Sequence, residues 1–326
     1  MSVLARPAVA DFAAKALQRA VQLGERAVSR RRRRGDESTP GRFPQFRWNT
    51  RALTIPTSIA PARAVVYLPT APRDAQERRE PRPRPEKPLA VYVNFHGGGF
   101  VMAATEVDDP LCRYLAAEAG VVVINVDYVV APQYRFPEPP HQAFEVVRWV
   151  AEHAAEHGWD GSRLCVGGQS AGGALAAAVA RQALEKGEPA IALQVLHYPP
   201  LDLATDAKDK SSVIAKPMLR PWMADVFDNV YVPDPAVRTD RLVSPANPAD
   251  TADLTGIAPA LVVTAEFDLL RAEGTRYAER LDGVGALVEH YNVAGVDHGY
   301  DVKNDEKALE VYAVIARHVR QAVNPG

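Results

Sequence analysis

Ser170 stands in Gly168-Gln169-Ser170-Ala171-Gly172, between a short apolar run (Arg163-Leu164-Cys165-Val166) and an Ala-rich stretch from 173 to 185. A serine on a sharp strand-to-helix turn, with glycine on both sides, is a nucleophile elbow. The serine backbone is expected to be strained there, and a Cβ at either glycine would collide with the neighbouring strand or helix. Such a turn presents the hydroxyl at a helix N-terminus, where N–H groups and the helix dipole favour a developing negative charge. Upstream, His96-Gly97-Gly98-Gly99-Phe100 follows the apolar run 89–95. Three successive glycines let a loop fold tightly and aim N–H groups inward, as an oxyanion hole for a tetrahedral acyl intermediate requires. Downstream, Glu266-Phe267-Asp268 lies just past the run 260–265, and Val296-Asp297-His298-Gly299-Tyr300 follows the run 286–293. Serine, carboxylate and imidazole in this order point to acyl transfer. Ser170 is the candidate nucleophile, His298 the general base and acid, and Asp268 the group that fixes the imidazole. Gly97, Gly98 and Ala171 are the candidate oxyanion donors, with His96 bracing their loop.

These residues need a frame. Eight strands are predicted, over 52–56, 64–68, 89–95, 121–126, 163–166, 191–197, 260–265 and 286–293. Helices are predicted between and after them, over 108–119, 142–157, 173–186, 271–281 and 306–322. The alternation predicts an α/β fold: a mostly parallel sheet with helices on both faces and antiparallel strands at its start. Ligands bind beyond the C-terminal ends of such strands, where all the chemistry-bearing residues fall. Two segments break the alternation, the first about 45 residues and 203–243.

The motifs together resemble the hormone-sensitive-lipase-like (bacterial family IV) esterases, a branch of the α/β-hydrolases. Besides those above, the matching residues are Asp127-Tyr128-Val129-Val130-Ala131-Pro132, Phe136-Pro137, Ser170-Ala171-Gly172-Gly173, Tyr198-Pro199, Glu266-Phe267-Asp268-Leu269-Leu270-Arg271 and His298-Gly299-Tyr300. They span roughly residues 50–322. The order Ser170, Asp268, His298 is that of the superfamily. The resemblance implies a core over 46–202 and 244–326, with 1–45 and the insertion 203–243 forming a helical cap. Phe100, Met218, Leu219, Trp222, Met223 and Phe227 are then candidates to line an acyl or alcohol pocket. The implied activity is hydrolysis of short- to medium-chain carboxylic esters through an acyl-enzyme, with no metal or cofactor. An aryl amidase or deacetylase on the same triad is the alternative within hydrolases. A ligand-binding protein on a hydrolase scaffold is the alternative outside them, and it would be expected to lack a triad member. The Ala131–Pro132 and Phe136–Pro137 bonds are candidates for the cis form. Gln169 and Gln133 depart from the pattern, which usually carries acidic residues at both positions.

The chain has 326 residues, 47% of them hydrophobic and 24% charged, an ordinary globular composition with ample apolar content for one large core. No run of 18 apolar residues suggests a membrane span, and no apolar h-region suggests a signal peptide. With only two cysteines, Cys112 and Cys165, reduced thiols and a cytoplasmic setting are expected. The net charge of −2 hides an asymmetry, since residues 1–87 hold 19 Lys and Arg against 8 Asp and Glu, and the remainder 19 against 32. Arg30, Arg31, Arg32, Arg33 and Arg34 end a predicted amphipathic helix over 9–29 with Phe12, Leu17, Val21 and Val28 as its apolar positions. Peripheral membrane contact through these arginines is the functional reading, and a basic helix end packed on the acidic remainder is the favoured one. No nucleic-acid motif accompanies them. A small-molecule ester is the expected partner, and a homodimer is left open. The stretch 70–88 is rich in Pro and Arg and is expected to be a solvated excursion between strands. His153-Ala154-Ala155-Glu156-His157 matches a zinc-peptidase pattern, but no third ligand or cleft accompanies it, so a solvated helix end is expected.

Overall fold

A computed structural model describes residues 11, 14–16, 18, 42–69 and 87–324. Apart from those few N-terminal positions, the helix expected over 9–29 and the five arginines lie outside the described residues, as does 70–86. Strand β1 is Thr50–Ile55, β2 Ala62–Tyr67, β3 Leu89–Phe95, β4 Val122–Asp127, β5 Trp159–Gln169, β6 Leu193–His197, β7 Ala260–Ala265 and β8 Leu287–Val293. They form one sheet in the order β1-β2-β4-β3-β5-β6-β7-β8. β1 and β2 pair antiparallel, β2 meets β4 antiparallel, and every other pairing is parallel. Among the described residues from 42 onward the α-helices are α1 Asp109–Glu118, α2 Glu138–His153, α3 Ala171–Lys186, α4 Pro221–Tyr231, α5 Arg271–Asp282 and α6 Asp305–Val323.

Strand periodicity divides the core in two. Val91, Val93 and Phe95 of β3 face one apolar layer with Val146 and Val147 of α2, Leu175 and Val179 of α3, and Tyr277 of α5. Ala90 and Tyr92 face the opposite layer with Leu111 and Leu115 of α1 and Val311, Tyr312 and Ile315 of α6. Successive side chains of a strand point to opposite faces, so one continuous apolar run serves both layers.

All eight strands expected from the sequence form. β5 begins earlier than expected, where Trp159 and Asp160 pair with Leu89 and Ala90, and it runs on past Val166 through Gly167 and Gly168, which weaken a strand on propensity alone but are needed there. A Cβ at Gly167 would sit 2.0 Å from the Tyr92 hydroxyl oxygen. α2 starts at Glu138, earlier than expected, since Pro139 and Pro140 fall in a first turn whose N–H groups need no helical partner. It gives way at Ala154 to a 3₁₀ turn that ends on Gly158 at φ 75°. The Ala131–Pro132 and Phe136–Pro137 bonds are cis, as is Glu188–Pro189. Both cysteines are buried and free. Among the described residues no helix is long and apolar enough to cross a membrane.

Candidate active site

The chain turns abruptly from β5 into α3 at Ser170, whose φ of 52° and ψ of −120° lie outside the usual regions for a residue with a side chain. Neighbouring backbone holds it there: the Ser170 N–H donates to His197 O at 2.8 Å. The flanking glycines allow a close approach nothing larger would. A Cβ on Gly172 would lie 1.8 Å from Phe95 O, and one on Gly168 2.2 Å from the same atom. The carboxyl end of β3 therefore presses directly on the elbow.

Ser170 Oγ is 2.9 Å from His298 Nε2, and His298 Nδ1 is 2.7 Å from Asp268 Oδ2. Asp268 sits just beyond β7 and His298 just beyond β8, so three strand ends converge on one point. Asp268 Oδ1 accepts the Leu270 N–H at 3.0 Å, which fixes the carboxylate. A proton on Nδ1 facing Asp268 leaves the Nε2 lone pair for the serine hydroxyl. Burial opposes the charged form of His298, but Asp268 and its hydrogen bond, with Asp297 and Asp301, outweigh it and raise the imidazole above its ordinary value. The arrangement can take a proton from Ser170 and hold the resulting imidazolium.

The loop after β3 faces this point. Gly98 has a φ of 128°, and a Cβ there would lie 2.7 Å from Met102 O. The N–H groups of Gly98 and Ala171 have no protein acceptor among the described residues, and that of Gly97 has only a long contact of 3.4 Å to Asp108 Oδ1. His96 is buried, its Nδ1 lies 2.6 Å from Gly97 O, and its ring stacks on Tyr128 at 4.3 Å. Burial lowers its pKa and keeps it neutral. Asp108 also supports the loop: Asn94 Nδ2 donates to it at 3.0 Å, and burial pushes its carboxyl up to about 8. Nothing in the sequence singled out Asp108.

Behind the elbow lies a second carboxylate that the sequence reading missed. Asp301 is fully buried and accepts from Gln169 Nε2, from Tyr198 OH at 2.5 Å and from Tyr312 OH at 3.0 Å. The Tyr198 ring packs edge-on against His298 at 4.8 Å. His197, next to Tyr198, is buried and pushed down to about 4, so it is neutral at physiological pH. Gln169 thus donates where an acidic residue was expected, and the acceptor is Asp301. The other departure, Gln133, pairs with Gln18, its Nε2 lying 3.1 Å from Gln18 Oε1.

Ser170, His298 and the glycines open into a cavity of about 340 Å³. Phe100, Met218, Leu219, Met223 and Phe227 line it. Trp222 does not: the face of α4 turned to the cavity carries 223, 224, 227 and 228, and Trp222 lies off it, 51% exposed. Lys210 and Asp228, absent from the sequence-based set, line it too. His153 and His157 belong to no cluster of three or more His, Cys, Asp or Glu suited to a metal ion among the described residues. His153 stacks on Trp149 and His157 on Trp159, each at 4.6 Å.

The alpha/beta hydrolase fold family model matches residues 92–302. Carboxylesterase NlhH of Mycobacterium tuberculosis is 34% identical over 273 residues, covering 84% of this chain and 81% of that one. The ethyl acetate hydrolase of Pseudomonas putida is 35% identical over 223 residues, 68% of this chain and 69% of that one. Among solved structures, the thermostable carboxylesterase EstE1, cloned from a metagenomic library, superposes with a TM-score of 0.77 at 31% identity, covering 96% and 98% of the two chains. The Pyrobaculum calidifontis esterase gives 0.76 at 31% identity over 95% and 94%.

Proposed function

The chain belongs to the α/β-hydrolase family, in its hormone-sensitive-lipase-like branch, and from that premise we propose a carboxylic ester hydrolase that works through an acyl-enzyme on Ser170. The observation that carries this is the 2.9 Å and 2.7 Å relay from Ser170 through His298 to Asp268 at the wall of an apolar cavity. Ser170 Oγ attacks the ester carbonyl as His298 Nε2 takes its proton. The carbonyl oxygen becomes an oxyanion received by the N–H groups of Gly97, Gly98 and Ala171. His298 returns the proton to the departing alkoxide, which leaves as the alcohol. Water, activated by the same imidazole, then attacks the acyl-Ser170 ester and releases the acid. Asp268 holds the imidazole tautomer and stabilises the imidazolium.

The segment 203–243 contributes Met218, Leu219 and the Met223, Ala224, Phe227 and Asp228 positions of α4 to the cavity wall, which supports reading it as a cap insertion. A cavity of this volume suits short- to medium-chain acyl groups. The test is hydrolysis of p-nitrophenyl acetate, butyrate, octanoate and laurate, with matched anilides, by the native protein and by Ser170→Ala. Turnover of the shorter esters should be abolished in the variant. Faster anilide than ester turnover would replace the esterase reading with an amidase.

A further inference from the structure

Two charged side chains line the otherwise largely apolar cavity, and they differ in how they are satisfied. Lys210 Nζ lies 2.7 Å from Glu273 Oε2, with both side chains nearly inaccessible. Glu273 Oε1 in turn accepts the Leu201 N–H at 2.7 Å and the Asp202 N–H at 3.3 Å. Lys210 is therefore held by a buried ion pair. Asp228, one turn of α4 beyond Ala224, is the only carboxylate on the lining, and among the described residues its side chain makes no hydrogen bond and no ion pair. Asp228 is half-buried at this wall, so its carboxyl is open to a donor that enters the cavity.

We propose that Asp228 selects esters whose acyl or alcohol chain carries a hydroxyl, which donates to its carboxyl at the α4 wall. This rests on the ester-hydrolase reading and narrows its substrate class. A hydroxyl fits better than an ammonium for two reasons. It sheds less hydration on entering an apolar space. It is also accepted by either form of the carboxyl, and both forms are present near neutrality. Burial pushes Asp228 up to about 7, against Lys210 and Arg238, which pull it down, while Glu273 and Asp225 add to the rise. The selection should therefore strengthen as pH rises through 7 and the carboxylate becomes the better acceptor.

The experiment compares matched pairs in a pH-stat: methyl ω-hydroxyalkanoates against methyl alkanoates, and diol monoacetates against alkyl acetates, each over a series of chain lengths. An apolar cavity without Asp228 would disfavour the hydroxylated member of every pair. With it, at least one chain length should favour the hydroxylated ester by roughly tenfold in kcat/KM. Asp228→Leu should bring that ratio to unity or below, and Asp228→Asn, whose amide oxygen still accepts, should keep part of it. The proposal is overturned if the native protein prefers the plain ester at every length, or if the ratio survives Asp228→Leu. No turnover of either member by the native protein would instead overturn the ester-hydrolase reading, and this inference with it.

Discussion

Asp301→Asn probes how the ground behind the triad is built. Three donors converge on one buried carboxylate: Gln169 Nε2, Tyr198 OH and Tyr312 OH. An amide offers a single oxygen, so at least one donor would face an NH2 group instead. One buried donor left unpaired costs about 1–3 kcal/mol, and the surviving bonds lose the strength a charged acceptor gives. A total near 3 kcal/mol follows, which at about 2 °C per kcal/mol for a chain of this size lowers the thermal midpoint by roughly 6 °C. A second readout separates electrostatics from packing. Asp301 is one of the groups that hold the His298 pKa up against burial. The base must be neutral to act, so kcat/KM rises with pH through the His298 value, and removing the charge moves that rise to lower pH. The imidazolium of His298 contributes stability that is fully present below 6.5 and is lost as pH rises through its raised folded value, so the variant's deficit should also be larger in acid. Adding Gln169→Asp to Asp301→Asn returns one carboxylate to the cluster from the other side and should recover part of the midpoint. Differential scanning calorimetry and pH–rate profiles provide the data. An unchanged midpoint together with an unmoved acid limb would refute the reasoning.

Asp268→Asn should cost about 10⁴-fold in kcat while leaving residual turnover, as in a protease triad, because it misplaces a tautomer and keeps the base; stopped assays on a p-nitrophenyl ester check this. Gly172→Ala sets a Cβ 1.8 Å from Phe95 O, so β3 and α3 must separate. Its thermal midpoint should fall by more than that of any large-to-small change in the cavity lining, and a midpoint near the native one would count against the elbow geometry. Deleting residues 1–45 removes two acceptors of the buried Arg113 guanidinium, Arg42 O at 2.6 Å and Phe43 O at 3.0 Å, and the Gln18 contacts to Val101 O and Ala131 O, both 2.7 Å. It should lower stability by several kcal/mol and alter ester selectivity with little salt dependence. Binding of the intact protein to anionic vesicles, with unchanged soluble-ester kinetics after truncation, would point to a membrane anchor instead.

The elements that carry chemistry were legible because backbone geometry restricts them to few residue types. Only small residues fit where Gly168 and Gly172 meet Phe95 O, and only a flexible loop turns as Gly98 does, so both segments announce themselves. Asp268 and His298 were singled out by order and by their place after apolar runs, and the fold brings them within hydrogen-bond distance of each other and His298 within that distance of Ser170. Trp222 shows the limit: on composition it matches Met223, and only the rotation of α4 separates the lining face from the exposed one. Asp108, Asp301 and Asp228 were not legible at all. Asp108 and Asp301 depend on burial and on partners such as Asn94 and Tyr312, and Asp228 on the turn of α4 that sets it at the cavity wall; the fold brings these together from distant parts of the chain.

The central claim is that Ser170 alone is the acylated nucleophile. Intact-mass and peptide-mapping analysis after treatment with a fluorophosphonate ester tests it most directly. One adduct per chain should form on Ser170, in step with loss of esterase activity, and Ser170→Ala should neither label nor turn over ester. An adduct on another residue, or ester hydrolysis surviving in Ser170→Ala, would contradict the account.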